Sequence, residues 1–391
     1  MKFDKYKINH YFIYLKGFIY LQLAFLFNKT SKESGKIDIV LYGHNLNGNL
    51  KSLYEELKKT NFNFYYLTLD HKLYLDLKHK GTNVLFGLKF KHIKKLLNAK
   101  AIITDHGLHF YTYLIGKNNI LFFDINHGLP FQKWDKKTLE LQTKFTEVWL
   151  FSNFHKDIYI NTFKYDTDNI EVTGYGRLDY LINFNMLENK SKKIETLKTK
   201  YNLPIYEKTI LYAPTWTHDL KKVRNDYMQP LNIGFLKDLN EIAIESNFNI
   251  IFRPHMNMSI KTKFRQDIDS LDKVNLFPQK NFPEVENFLV MSDLLITDYS
   301  SISFDYLLLD RPVLFLNSKN SFPKGLYKQE ILRFGKLVNH DELSFFINKY
   351  LLEPAEYFTD TTHGEFKKLI YDNFDKISSK NYVKRIEHYL H

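Results

Sequence analysis

Four short clusters of polar residues carry the chemistry legible in this chain. In the first, Asp298-Tyr299-Ser300-Ser301 breaks an apolar run, Leu294 to Ile296, and Asp305 follows within the next apolar stretch. Hydroxyls and carboxylates between a strand's carboxyl end and a helix's first turn suit a phosphate, because unpaired N–H groups and the helix dipole point there. Ser301 and Asp305 are spaced to share a helix face. A competing reading is that Ser300 or Ser301 only caps the helix, and Asp298 reads equally well as structural. The second cluster is Arg253-Pro254-His255, after the apolar run 248–252. The third is Thr215 in Tyr212-Ala213-Pro214-Thr215-Trp216, and the fourth is His127 in Asn126-His127-Gly128-Leu129-Pro130. Hydroxyls, one guanidinium and histidines that titrate near neutrality describe a diphosphate site with an acid–base group. Arg177 and Asp179 read as an ion pair between domains that supports the site. His44, His106, His109 and His218 read as surface or loop residues.

The elements that must position these residues alternate between strands and helices. Apolar runs end at Tyr42, Thr104, Ile125 and Ser152 in the first half of the chain, and at Tyr212, Phe252 and Thr297 in the second. Amphipathic stretches separate them. This is the rhythm of doubly wound parallel sheets, whose ligands bind at the carboxyl ends of strands. The expected organisation is an apolar helix in residues 1–34, a Rossmann-like domain over 35–188, a second over 194–370 and a helical tail over 371–391. The polar run Asn189-Lys190-Ser191-Lys192-Lys193 marks the expected boundary.

Composition narrows the function classes. The 391 residues include 55 Lys+Arg against 44 Asp+Glu, a net charge of +11 that favours anionic partners. The basic residues are dispersed and no nucleic-acid module is present, which argues against a nucleic-acid-binding protein. Cys is absent, so disulfides, thiol catalysis and Cys-ligated metal are excluded. No Walker A loop or Gly-x-Gly-x-x-Gly follows the first strand, and no Asp-x-Asp of the metal-binding glycosyltransferase kind occurs. His106 and His109 lack a partner set for a metal. Residues 11–27 are apolar except Lys16, Gly17 and Gln22, and slightly short of the roughly 20 residues a span needs. A helix packed on the body or lying at a membrane interface is expected ahead of a true span. Lys2, Lys5, Lys7, Lys29 and Lys32 flank it and suit anionic headgroups.

Six motifs in order resemble the CDP-glycerol glycerophosphotransferase family, enzymes of teichoic acid and related capsular polymers. They are residues 42–49, Asn126-His127-Gly128-Leu129-Pro130, Gly174-Tyr175-Gly176-Arg177-Leu178-Asp179, Tyr212-Ala213-Pro214-Thr215-Trp216, Arg253-Pro254-His255, and Asp298-Tyr299-Ser300-Ser301 through Asp305 to Arg311-Pro312. The chain departs from the family pattern at Leu129, Gly176, Leu178, Thr217-His218-Asp219 and Met256. The resemblance implies a GT-B fold, two doubly wound domains facing a central cleft, with the donor held by the second and no cofactor or metal. It implies transfer of a polyol phosphate from a CDP-alditol, glycerol or ribitol, to a hydroxyl of a lipid-linked or polysaccharide acceptor, at the cytoplasmic face of a membrane. Under it, His127 is the general base and His255, with Arg253, neutralises the pyrophosphate and leaving CMP. Thr215, Ser300, Ser301 and Asp305 then bind the donor. The rival within the same fold is a glycosyltransferase using a nucleotide sugar.

Overall fold

The computed structural model describes residues 8–28, 37–117, 119–129, 140–141, 143–215, 227–229, 231–255, 258, 260–318, 332–371 and 378–390. The chain divides into two compact units. The first comprises residues 1–128, 133–179 and 373–391; the second comprises 129–132 and 180–372.

Seven parallel strands build the first unit: β1 (Ile37–Tyr42), β2 (Phe64–Thr68), β3 (Val84–Phe86), β4 (Ala99–Thr104), β5 (Leu121–Asp124), β6 (Glu147–Leu150) and β7 (Ile170–Val172). Their order is β3-β2-β1-β4-β5-β6-β7. The chain therefore winds outward one way from β1 and the other way from β4, and the switch point lies between those two. The central strands are near-continuous apolar runs because helices cover both faces. Helix Gly48–Leu57 shows the matching pattern, with Leu50, Leu53, Tyr54 and Leu57 buried at helical spacing. They pack with Ile39, Leu41, Trp149 and, from the far end of the chain, Tyr382, Val383 and Ile386.

The second unit repeats the plan with six parallel strands: β8 (Lys208–Tyr212), β9 (Phe248–Phe252), β10 (Val274–Leu276), β11 (Leu294–Thr297), β12 (Val313–Leu316) and β13 (Lys336–Val338). Their order is β10-β9-β8-β11-β12-β13, with the switch point between β8 and β11. Helix Ile233–Glu245 buries Phe235, Leu236, Leu239 and Ala243 against the sheet's Ile210, Ile250 and Ile296. The fold is α/β with two doubly wound parallel sheets, as the alternation of elements implies.

The chain passes between units at Asp179 and Tyr180, and the run expected as a linker has another task. Asn189 caps helix Lys190–Lys200, its side chain accepting a hydrogen bond from the Lys192 amide at 2.9 Å. Asn is a strong N-cap, so a polar cluster of this kind starts a helix as readily as it ends a domain. The expected tail over 371–391 holds one described helix, Ser378–Leu390, in the first unit, while His363–Ile370 before it belongs to the second.

The N-terminal apolar stretch is one helix, Ile8–Asn28, of 21 residues. Leu21 and Ala24 are fully buried. Tyr14 meets Phe110 and His109 edge-on, and Gly17 lies where a Cβ would strike the Phe110 ring at 2.5 Å. One stripe thus packs on the first unit, as expected, while Phe12, Leu15, Ile19, Leu26 and Phe27 are exposed. By length and composition His10–Phe27 is also apolar enough to cross a membrane. The flanking Lys2, Lys5, Lys7, Lys29 and Lys32 lie outside the described residues, as do Pro130, Trp216, Thr217, His218, Asp219 and Met256.

Candidate active site

In the first unit, β5 ends at Asp124, and Asn126 turns the chain with a left-handed φ of 49°. Asn tolerates that region because its short side chain bonds locally. Its carboxamide oxygen accepts the His127 amide at 2.7 Å, and Asp124 accepts the Asn126 amide at 2.8 Å. His127 is then aimed by a second contact: its Nδ1 lies 2.7 Å from the carbonyl oxygen of Asp105, just past β4. A carbonyl only accepts, so Nδ1 carries the hydrogen and the neutral ring presents an unprotonated Nε2. Crowding by protein atoms, with a smaller contribution from the nearby His106 and against the opposing pull of Asp105, lowers the His127 pKa to about 4. The ring keeps an exposed face, so water softens that desolvation. His127 is thus a neutral imidazole at physiological pH, the state a general base requires.

Asn49, buried at the start of helix Gly48–Leu57, joins this loop to the one carrying Arg177. Its Nδ2 donates to the Asn126 carbonyl at 2.9 Å, and its Oδ1 accepts the Arg177 amide at 3.0 Å. The Arg177 guanidinium donates to the His127 carbonyl. Asp179 does something different from the expected ion pair between domains. Its carboxylate accepts the amides of Ser378 and Ser379 at 2.7 and 2.9 Å, capping the final helix within the same unit. A buried carboxylate at a helix N-terminus satisfies donors that the helix cannot.

Sequence reasoning gave no role to Asn49, Asp105 or His106. Their signal was position: each follows β1 or β4, the strands that flank the switch point, but that adjacency becomes visible only once strand order is known. His44 and His109 join the same group, with ring centroids 5.1 Å apart. Among the described residues, no set of three His, Asp or Glu is arranged to hold a metal ion.

In the second unit three neighbouring strand ends carry the expected residues. Arg253 and His255 follow β9, Thr215 follows β8, and Asp298 to Ser301 follow β11. Asp298 is buried and ties the last two loops together, its Oδ1 accepting the amides of Thr215 at 2.9 Å and Tyr299 at 2.7 Å. Burial raises its pKa, against the lowering effect of these hydrogen bonds. Its role is to shape the loops, in line with the structural reading.

Ser301 occupies the N-cap position but makes no side-chain cap bond, because its own backbone is already helical (φ −63°, ψ −12°). The Ser300 hydroxyl meets the Ile302 amide only at 3.5 Å. Capping therefore does not explain these hydroxyls. The helix they precede, Ile302–Tyr306, has five residues and runs into a 3₁₀ turn, Leu307–Leu309. Its first-turn N–H groups matter more here than a long dipole. Asp305 is buried on it.

Arg253 is also buried. Its guanidinium lies over the Phe288 ring at 4.9 Å, with Nη1 3.5 Å from the Phe277 carbonyl and Nη2 without a hydrogen-bond partner among the described residues. Desolvation lowers its pKa to about 10, which leaves it cationic. His255 is half-buried beside it in sequence.

Comparison with known proteins fits this arrangement. The teichoic acid glycerol-phosphate transferase of Staphylococcus aureus is 31% identical over 162 residues, 41% of this chain and 39% of that protein. The teichoic acid poly(glycerol phosphate) polymerase of Staphylococcus epidermidis is 26% identical over 336 residues, 77% of this chain and 43% of that one. The chain thus spans only about two fifths of the length of these relatives. A variant of the wall teichoic acid polymerase TagF, soaked with CDPG, superposes with a TM-score of 0.74 at 19% identity, covering 98% of both chains. That likeness shows a shared fold of the GT-B type. The profile of one family, described as CDP-glycerol:poly(glycerophosphate) glycerophosphotransferase, matches residues 26–387. With nearly the whole chain inside that match, the chain belongs to the CDP-glycerol:poly(glycerophosphate) glycerophosphotransferase family.

Proposed function

We propose that this chain transfers a polyol phosphate, glycerol phosphate first and ribitol phosphate second, from a CDP-alditol to a hydroxyl of a lipid-linked or polysaccharide acceptor. The observation that carries the proposal is the family match over residues 26–387, joined to a histidine whose free nitrogen is fixed as Nε2. The acceptor hydroxyl attacks the phosphorus that bears the polyol, and Nε2 of His127 takes its proton. The new O–P bond forms as the bond from that phosphorus to the bridging oxygen breaks, and CMP leaves. A positioned base of this kind contributes about 10²–10⁴-fold.

His255 and Arg253 offset the charge that develops on the leaving CMP. Ser300 and Ser301, with hydroxyls not engaged in capping, bind phosphate oxygens. Thr215 and Asp305 contact the donor's phosphate, ribose or polyol. Arg177 holds the loop that carries His127. The protein acts at the cytoplasmic face of a membrane, where the exposed face of helix Ile8–Asn28 meets an anionic surface.

Incubation with CDP-glycerol, CDP-ribitol and a panel of UDP- and CMP-sugars tests the reaction. CMP release with a CDP-alditol is expected. Turnover of a nucleotide sugar alone would replace this reading with a glycosyltransferase.

A further inference from the structure

We propose that Asp105 and His106, at the end of β4, are positioning residues for His127 at the end of β5, and that His106 holds the base ring in its reactive orientation and charge state. The inference deepens the reading of His127 as the base and rests on it.

The geometry is specific. The rings of His106 and His127 stack with centroids 4.2 Å apart and planes 13° from parallel. Asp105 grips both. Its carbonyl oxygen fixes Nδ1 of His127, and its carboxylate, 5% exposed, lies 2.7 Å from Nδ1 of His106 in an ion-pair contact. One residue therefore sets the tilt of one ring through its backbone and of the other through its side chain. The left-handed Gly107, with φ 80°, turns the chain just after them. Thr104 stiffens that turn through its hydroxyl, which donates to the Gly107 carbonyl at 3.1 Å.

A positive charge on His106, favoured by the Asp105 carboxylate, opposes a second positive charge stacked upon it. Charge on His106 therefore favours the neutral form of the stacked His127. Arg177 acts in the same direction and lowers the proton affinity of His127, while His155, fully buried with neither ring nitrogen hydrogen-bonded among the described residues, is held neutral by its burial. His44 faces the other side of His106, at 5.1 Å between centroids. Asp105 alone pulls the other way, and it is the group that pairs with His106.

The test uses the full chain with CDP-glycerol, reading CMP release against pH, and ¹⁵N-histidine NMR titration of the same protein with the His127 signal assigned through His127→Gln. His106→Ala removes stack and charge; His106→Phe restores the stack alone. In both, the His127 titration and the acid limb of kcat/KM are expected to move up by about one pH unit or more, as loss of a like charge at this distance dictates. The plateau rate is expected to fall about tenfold or more in His106→Ala and to recover most of the way in His106→Phe, because the ring's orientation returns. Titrations and profiles that superpose on those of the unaltered protein in both variants would overturn the proposal. Full turnover by His127→Ala would instead remove the base reading itself, a distinct failure seen without either His106 variant.

Discussion

His127 shows how little a side chain's identity says until its contacts are known. A histidine after an apolar run is ordinary; one whose Nδ1 is committed to the Asp105 carbonyl has a defined basic nitrogen. His127→Ala is expected to lower CMP release by about 10²–10⁴-fold with little change in thermal stability, since the ring is exposed. Because the neutral ring is the active form and its pKa is about 4, kcat/KM should hold level through neutral pH and decline only as pH falls toward that value. His155 gives a stability counterpart. Burial lowers its pKa from 6.5 to about 3, so the unfolded chain binds the extra proton first. Its contribution to stability is present above pH 6.5 and is lost as pH falls through that window; His155→Phe should flatten the fall of Tm with acidification between those values. In the second unit, Asp298→Ala would leave two part-buried amides without their acceptor and cost about 1 kcal/mol by denaturant unfolding, with a raised KM for the donor. Ser300 and Ser301 were legible as phosphate ligands or caps. Only the helical backbone of Ser301 decided against capping.

At the scale of elements, the helix that closes the chain is the least foreseeable. Helix Ser378–Leu390 reads from sequence only as a helical tail, yet it covers the first sheet. Tyr382 stacks on Trp149 with centroids 5.4 Å apart and donates to the Gly174 carbonyl. It thereby braces the loop that carries Arg177. Arg385 reaches Glu147, a fully buried carboxylate that also accepts the Trp149 indole N–H at 2.7 Å. Arg385→Ala leaves that carboxylate short of its cation and is expected to destabilise the protein by about 3 kcal/mol or more, measured by denaturant unfolding. Arg385→Lys should recover part of this, since a point charge replaces the two-pronged contact. Strand existence was legible for most of both sheets because fully buried parallel strands need apolar runs, but the three-residue edge strand Lys336–Val338, with Leu337 exposed, carries no such run and was not read. Strand order was not legible, because it depends on which runs pair, and no residue in a run states its neighbour.

For the whole molecule, the net charge of +11 and an apolar helix with one stripe packed and another exposed both bear on membrane contact. The protein should co-sediment with vesicles rich in anionic lipid, and less so as salt rises, since the electrostatic part of binding is screened. Phe12→Ser with Leu15→Ser, both exposed, should weaken that association while leaving CMP release from soluble substrates unchanged. Retention on vesicles by the double variant would show that the exposed stripe is not the contact.

Residue order is enough to read two parallel-sheet units, the strand ends that hold the polar residues, and a family. Each follows from local rules: apolar runs for buried strands, turn residues where they stop, and motifs recurring in a set order. Tertiary structure alone decided what each polar group is doing. It made Asp179 a helix cap, made Asp298 a loop tie, and set Asp105 and His106 against His127. The reason is physical. A hydrogen bond or a stacked ring depends on contact within a few ångströms, and in a doubly wound sheet those contacts come from strands adjacent in space but distant in the chain.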